Sequence, residues 1–278
     1  MRKGKPQRNR PETAPGKRKS APPSVEAPGK HRIYGLHTVR AALENPQRSV
    51  RQLSVSPEAA ALLADAIKIR QGFSGKISHI QYETRPRGEL AQLVPPGAVH
   101  QGAVLACEPL AQPNLDQLLG RLAERDEAGR SVVLALDQVT DPRNVGAILR
   151  SAAAFGAAAV IAPKHHAPAE SGPLAKAASG ALELVPYLQA GNLGQSLRAL
   201  QKAGYWSVGL AAEGQERLEA LRDHQKLVLV MGAEGSGLRR LTRQQCDHLA
   251  RLPTRAEFGQ LNVSAAAAVA LYALLGAQ

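Results

Sequence analysis

Cysteine is scarce: the chain has two, Cys107 and Cys246, far apart and without histidine or cysteine companions at ligand spacing. That argues against a disulfide framework and a zinc site, and it fits a reducing cytoplasm. Long apolar runs are missing as well, and none approaches the ~20 residues that a membrane span needs. The N-terminus is basic but has no apolar core, so it does not read as a secretory signal. No internal repeat is present. The glycine-rich stretch at 230–240 lacks the Lys-Ser/Thr of a P-loop and does not fit G-x-G-x-x-G, which sets aside both common nucleotide fingerprints.

Positive charge is in excess, and its distribution is uneven. The chain carries 35 Lys+Arg against 23 Asp+Glu, a net +12. Residues 1–30 hold nine basic residues against Glu12 and Glu26, so +7 of that total sits on about a tenth of the length. With its Pro, Gly and Ser and no apolar periodicity, this segment is expected to be a disordered basic arm that binds polyanions best at low salt. A solubilising tail is the plainer alternative.

Order is expected from about residue 31. "HRIYGLHTVRAALEN" carries helical spacing at Val39, Ala42 and Leu43 and ends at the turn Asn45-Pro46. "VRQLSVS" alternates like a strand, "PEAAALLADAIKIR" reads as a helix opened by proline, and "GKISHI" reads as a strand. A short helix "RGELAQLV" and a strand "HQGAVLACEP" close an α/β unit over 31–108. The amphipathic helix "PNLDQLLGRLAERDEAG" then bridges, at 109–129, to a second unit over 130–278. There the strands "SVVLALD", "AAAVIAP", "YWSVGLAA", "QKLVLVMG" and "HLARLP" alternate with helices at 144–155, 191–204 and 262–275. Apolar strands alternating with helices predict a mostly parallel sheet covered on both faces.

Three segments, each just after an apolar strand, could carry chemistry, because open α/β sheets bind ligands beyond the carboxyl ends of their strands. In "DQVTDPRNVGAILRSA", Asp141 or Asn144 can cap the following helix, and Gly146 permits close packing. Arg150 sits among apolar and small residues, either as a solvated face residue or as a phosphate or carboxylate binder. In "VMGAEGSGLRR", three closely spaced glycines mark a loop whose backbone approaches something closely, and Glu234 suits a hydroxyl, an amine or a helix terminus. In "RLPTRAEFGQLNVSAAAAVALYALL", Asn262 and Ser264 open a helix of small residues, and capping alone could account for them. His165 and His166 read as solvent-exposed loop residues.

The trio "NVGAILRSA", "VLVMGAEGSGL" and "LPTRAEFGQLNVSAAAAVALY" resembles, in order and spacing, the three motifs of the SpoU/TrmH family of RNA 2′-O-ribose methyltransferases in the SPOUT superfamily. The resemblance covers about 130–278 and implies an α/β domain whose sheet ends in a deep trefoil knot. "YGLHTVRAALEN" and "HQGAVLACEP" resemble, more weakly, the small domain similar to ribosomal protein L30e that precedes the catalytic domain in the 23S rRNA guanosine 2′-O-methyltransferase branch.

By that resemblance the cofactor is S-adenosylmethionine, no metal is needed, and Asn144, Arg150, Glu234 and Asn262 form the catalytic set. Gly232, Leu252, Leu261 and Ser264 are assigned to cofactor binding. Because an arginine is effectively always protonated, Arg150 is read as holding the adjacent phosphate and stabilising the developing alkoxide rather than as a base. Gln260 and Glu257-Phe258 depart from the family's smaller residues at the pocket rim. The resemblance also implies a cytoplasmic homodimer through the C-terminal domain, acting on 23S rRNA or a large-subunit assembly intermediate, with no membrane attachment. The rival readings are a tRNA 2′-O-methyltransferase of the same superfamily and a catalytically silent RNA-binding or ribosome-assembly factor. A dinucleotide oxidoreductase fits the strand–helix alternation but lacks the glycine fingerprint.

Overall fold

A computed structural model describes residues 31–73, 80–125, 129–255 and 261–276. The basic arm, most of the strand expected at 75–80, and the departures at Glu257, Phe258 and Gln260 lie outside these residues.

The first unit contains β1 (Arg32–Tyr34), α1 (Leu36–Glu44), β2 (Val50–Val55), α2 (Pro57–Leu62), α3 (Ala64–Gly72), β3 (Gln81–Thr84), α4 (Arg87–Leu90) and β4 (Ala103–Cys107). Its four strands run in the order β1-β4-β2-β3, with only the β2–β3 pair parallel. The single helix expected over 57–70 is two. Ser56 caps the first and Pro57 opens it, but the chain leaves helical geometry at Leu63, whose buried side chain joins Ala59 and Ala66 in the core. The periodicity of the segment is continuous through that break, so sequence reading ran the two together.

The second unit contains β5 (Ser131–Asp137), α6 (Pro142–Phe155), β6 (Ala159–Pro163), α7 (Gly172–Ala178), β7 (Tyr187–Ala190), α8 (Leu193–Lys202), β8 (Trp206–Leu210), β9 (Glu216–Arg217), β10 (Lys226–Gly232), α9 (Arg240–Gln245), β11 (His248–Arg251) and α10 (Val263–Leu275), preceded by α5 (Leu115–Arg125). Seven strands form one sheet in the order β7-β6-β5-β10-β8-β11-β9, and every pairing in it is parallel. The expected sheet is present. Sequence reading passed over β1, α7, β7, β9 and α9, which are short and carry little periodicity.

Both faces of the sheet are covered. Val132, Leu134 and Leu136 of β5 join Ile148 and Leu149 of α6, Leu174 of α7 and Leu271 and Leu274 of α10 in one core. Val133 and Ala135, pointing the other way, pack with Leu118 and Leu122 of α5 and Leu197 and Leu200 of α8. Gly146 is needed where α6 meets α7, since a Cβ there would fall 2.7 Å from the Leu174 carbonyl oxygen. No described helix is long and apolar enough to cross a membrane.

A buried ionic seam joins the two units. The Arg48 side chain has no exposed surface and pairs with both Glu170 and Glu183 of the second unit. Asn45 Nδ2 also donates to Glu183 Oε2 at 2.6 Å, and the Leu110 backbone N–H donates to Glu170 Oε2 at 2.9 Å. Burial opposes the guanidinium charge, but the two carboxylates outweigh it and hold Arg48 above its ordinary range. Neither cysteine is poised to react: burial pushes the thiols of Cys107 and Cys246 up to about 12.

Candidate active site

The site is built at the carboxyl ends of β8, β10 and β11, where parallel sheets place ligand crevices. A cavity of about 440 Å³ opens there. Leu210, Met231, Leu252, Leu261, Val263 and Ala266 give it an apolar lining, the backbone of 232–238 forms one wall, and Glu213, Glu234 and Arg243 bring charge to it. Its size and its mixture of apolar walls with a few polar groups suit a nucleoside-sized ligand.

Asn144, Glu234 and Asn262, each from a different one of the three segments, meet at its lip. Asn262 Nδ2 donates to Asn144 Oδ1 at 3.2 Å and to Glu234 Oε2 at 3.4 Å, and Asn144 Nδ2 reaches Glu234 Oε2 at 3.5 Å. Helix geometry places two of them. Asp141, not Asn144, caps α6 by accepting from the Arg143 N–H, which leaves the Asn144 amide free to face the loop after β10. Asn262 does cap α10, its Oδ1 accepting from the Ser264 N–H at 2.9 Å and the Ser264 hydroxyl at 2.6 Å, so only its amide nitrogen is left for the cluster. Ser264 thus orients Asn262 and does not line the cavity.

Gly232, Leu252 and Leu261 all line the cavity. The close approach read at Gly232 is to the protein's own chain. A Cβ on Gly232 would lie 2.2 Å from the carbonyl carbon of Gly237. Mutual backbone hydrogen bonds between Ala233 and Gly237 close the loop, and Gly235 and Gly237 turn it with positive φ.

Arg150 stands apart from the trio. It lies six residues beyond Asn144 on α6, about 9 Å along the axis, and is exposed. It lines a second cleft between α6 and the first unit, with Glu44 and Asn45 at the end of α1 and Gly180 and Leu184 opposite. His165 and His166 are exposed on a turn. Sequence reading missed Glu213 and Arg243, which pair at the cavity rim. It also missed Asp137, a fully buried carboxylate at the end of β5. The last left a trace in the sequence, a charged residue closing an apolar strand.

Comparison with known proteins agrees with this architecture. The model of the SpoU rRNA methylase family matches residues 131–272, and that of the RNA 2′-O ribose methyltransferase substrate-binding domain matches 32–113. The chain belongs to the SpoU rRNA methylase family. It is 40% identical over 251 residues to the 23S rRNA (guanosine-2'-O-)-methyltransferase RlmB of Pseudomonas aeruginosa, covering 88% of this chain and 95% of that one. The enzyme of the same name from Coxiella burnetii is 37% identical over 241 residues, covering 86% and 93%. Among solved structures, the SpoU methyltransferase AviRb from Streptomyces viridochromogenes in complex with AdoMet superposes with a TM-score of 0.68 at 20% identity, covering 88% of this chain and 89% of that one. An AdoMet-bound rRNA methyltransferase from Sinorhizobium meliloti gives 0.65 at 23%, covering 88% and 86%. At those identities the two structures speak for the fold alone.

Proposed function

We propose that this protein transfers a methyl group from S-adenosylmethionine to the ribose 2′-oxygen of a guanosine in 23S rRNA. The observation that carries the reading is the meeting of Asn144, Glu234 and Asn262 at the lip of an apolar cavity beyond the sheet. The relatives named for this activity align over nearly their whole length, which favours 23S rRNA over tRNA and an enzyme over a silent binding factor.

The cavity's residues fit the cofactor. Leu210, Leu252, Leu261 and Met231 suit a purine, the peptide groups of 232–238 can pair with its edge and ribose, and Glu213 and Glu234 complement a sulfonium and an ammonium. When bound, S-adenosylmethionine supplies an activated methyl group. The chain's own part is to orient the ribose hydroxyl and exclude water. The amides of Asn144 and Asn262, fixed against Glu234, hold the hydroxyl side of the site. Arg150, exposed in the cleft between α1 and α6, holds a backbone phosphate of RNA lying there and so positions the strand whose ribose reaches the cavity. The first unit presents the RNA, and the basic arm adds attraction that does not depend on sequence.

The reading includes a homodimer through α10, with the carboxyl-end segments threaded as the trefoil knot that the resemblance implies. Leu261, Val269 and Tyr272 at and along α10 are exposed apolar side chains, the kind a second copy would cover. It places the enzyme in the cytoplasm, where bacterial ribosomes are assembled.

Methyl transfer from tritiated S-adenosylmethionine to a 23S rRNA transcript, followed by mapping of ribose methylation, tests the activity. A single 2′-O-methylguanosine in that transcript and none in bulk tRNA is the expected result. Sedimentation equilibrium at micromolar concentration tests the dimer, and a pure monomer would overturn that part.

A further inference from the structure

The loop that carries Glu234 begins and ends on one buried carboxylate. It leaves β10 at Gly232, which pairs in register with Asp137 of β5. It returns at Arg239, whose backbone N–H donates to Asp137 Oδ2 at 3.0 Å and whose Nε donates to Asp137 Oδ1 at 2.6 Å. Asp137 has no exposed surface, whereas the Arg239 side chain is 49% exposed. Both carboxylate oxygens are therefore spent on one residue, and the guanidinium is held by its inner nitrogen only.

That division has a chemical consequence. An arginine gripped at Nε keeps both terminal nitrogens, and no described residue accepts a hydrogen bond from either in Arg239. The fork is thus pre-aimed into solvent at the carboxyl end of the sheet, the same end as the cavity. Two planar N–H-bearing nitrogens in fixed orientation match the spacing of phosphate oxygens. Arg240 adds exposed positive charge at the same end of the sheet, where the charge of Arg143 is offset by Asp141.

We infer that Arg239 is a binding residue for a backbone phosphate of the RNA substrate, and that Asp137 is the positioning residue that aims it. The inference rests on the proposed RNA-modifying activity for its substrate class. A pair serving only to close the loop would need no free fork, and a general contribution to the basic field would need no buried carboxylate behind it.

Lysine at 239 separates these possibilities. Arg239→Lys keeps the charge, but one ammonium cannot sit on Asp137 and on a phosphate in the same geometry, whereas Arg239→Gln removes the charge altogether. Each full-length variant is tested for binding to a 23S rRNA transcript across a salt series, for binding of S-adenosylhomocysteine, and for thermal unfolding. We expect both variants to bind the transcript about tenfold more weakly. The slope of log affinity against log salt should fall by about one phosphate's worth, with S-adenosylhomocysteine affinity within twofold of wild type. Asp137→Asn should keep the slope and lower turnover, because the cation remains but is no longer aimed.

Wild-type RNA affinity and slope in Arg239→Lys would overturn the inference, as would a loss of S-adenosylhomocysteine binding in step with RNA binding in both variants. Should Arg239→Gln not fold, the lysine variant decides alone. Failure of wild-type protein to methylate the transcript while still binding it would strike the proposed activity and leave the phosphate contact standing or falling on the salt slopes.

Discussion

Asn262 Nδ2 lies 3.2 Å from Asn144 Oδ1, joining residues 118 positions apart across the mouth of the cavity. The same Asn262 side chain caps α10 through its oxygen, so one residue has a structural end and a functional end. Asn262→Ser separates them. Serine is also a good cap, and the cost in stability should stay within a few tenths to about 1 kcal/mol. The amide donor toward Asn144 and Glu234 is lost, and turnover should fall roughly 10²-fold or more. Thermal unfolding beside a methyl-transfer assay checks both halves, and activity near wild type would remove Asn262 from the site.

Arg150 and Gly232 should fail in different ways. Arg150 lies outside the cavity, so Arg150→Ala should leave S-adenosylhomocysteine binding nearly intact while turnover falls by about 10²–10³. Gly232→Val drives a branched side chain into the backbone of Gly237 and Leu238, so the wall of the cavity must move. Cofactor affinity and melting temperature should drop together. Calorimetric titration with S-adenosylhomocysteine and a thermal scan separate the cases. A Gly232→Val protein of normal stability would mean that the loop yields more easily than its contacts imply.

Arg48→Met removes the cation from a buried cluster and strands Glu170 and Glu183 between the two units. Breaking such a pair by deleting one partner costs about 3–5 kcal/mol. Denaturant unfolding at neutral pH should show a loss of that order, and a change below about 1 kcal/mol would count against a structural role for the seam.

The seam also sets a pH dependence. Burial raises the Glu170 carboxyl, but the hydrogen bond from His31 and the charge of Arg48 more than reverse it, so the net shift is downward. A carboxyl depressed in the folded state contributes stability that is fully present above its unfolded value. That stability is lost as pH falls through the depressed one. Unfolding free energy should therefore decline from the ordinary glutamate range downward, and the decline should be shallower in Glu170→Gln. Parallel acid profiles for the two proteins would contradict this.

Removing residues 1–30, which carry +7, should weaken RNA binding most at low salt and leave methyl transfer active. Equal loss of activity at low and high salt would point to a more specific role for the arm.

The three segments and their placement after apolar strands were legible because strand, turn and cap chemistry are local. "SVVLALD" announces a buried strand by composition alone, and Asp141-Pro142 announces the helix that follows. The family motifs then named Asn144, Glu234 and Asn262, and the fold brings those three into hydrogen-bond range. Elements of two to seven residues such as β1, α7 and β9 were not legible, because a short segment held by tertiary contacts has no periodicity to read. The glycines of 230–240 mark a close backbone approach without naming its partner. A glycine's lack of side chain shows in sequence, but which atoms fill the space does not.

The sequence by itself determined the class of fold, the charged arm and the residues that could do chemistry, since each follows from residue type, spacing and motif. Tertiary structure alone decided which partners those residues have. Only the folded chain sets Arg239 on Asp137, Arg48 between Glu170 and Glu183, and Arg150 in a cleft of its own. The physical reason is that buried charges such as Asp137 and Arg48 are held in place by a counter-charge beside them. Where that counter-charge lies depends on how strands far apart in sequence are brought side by side.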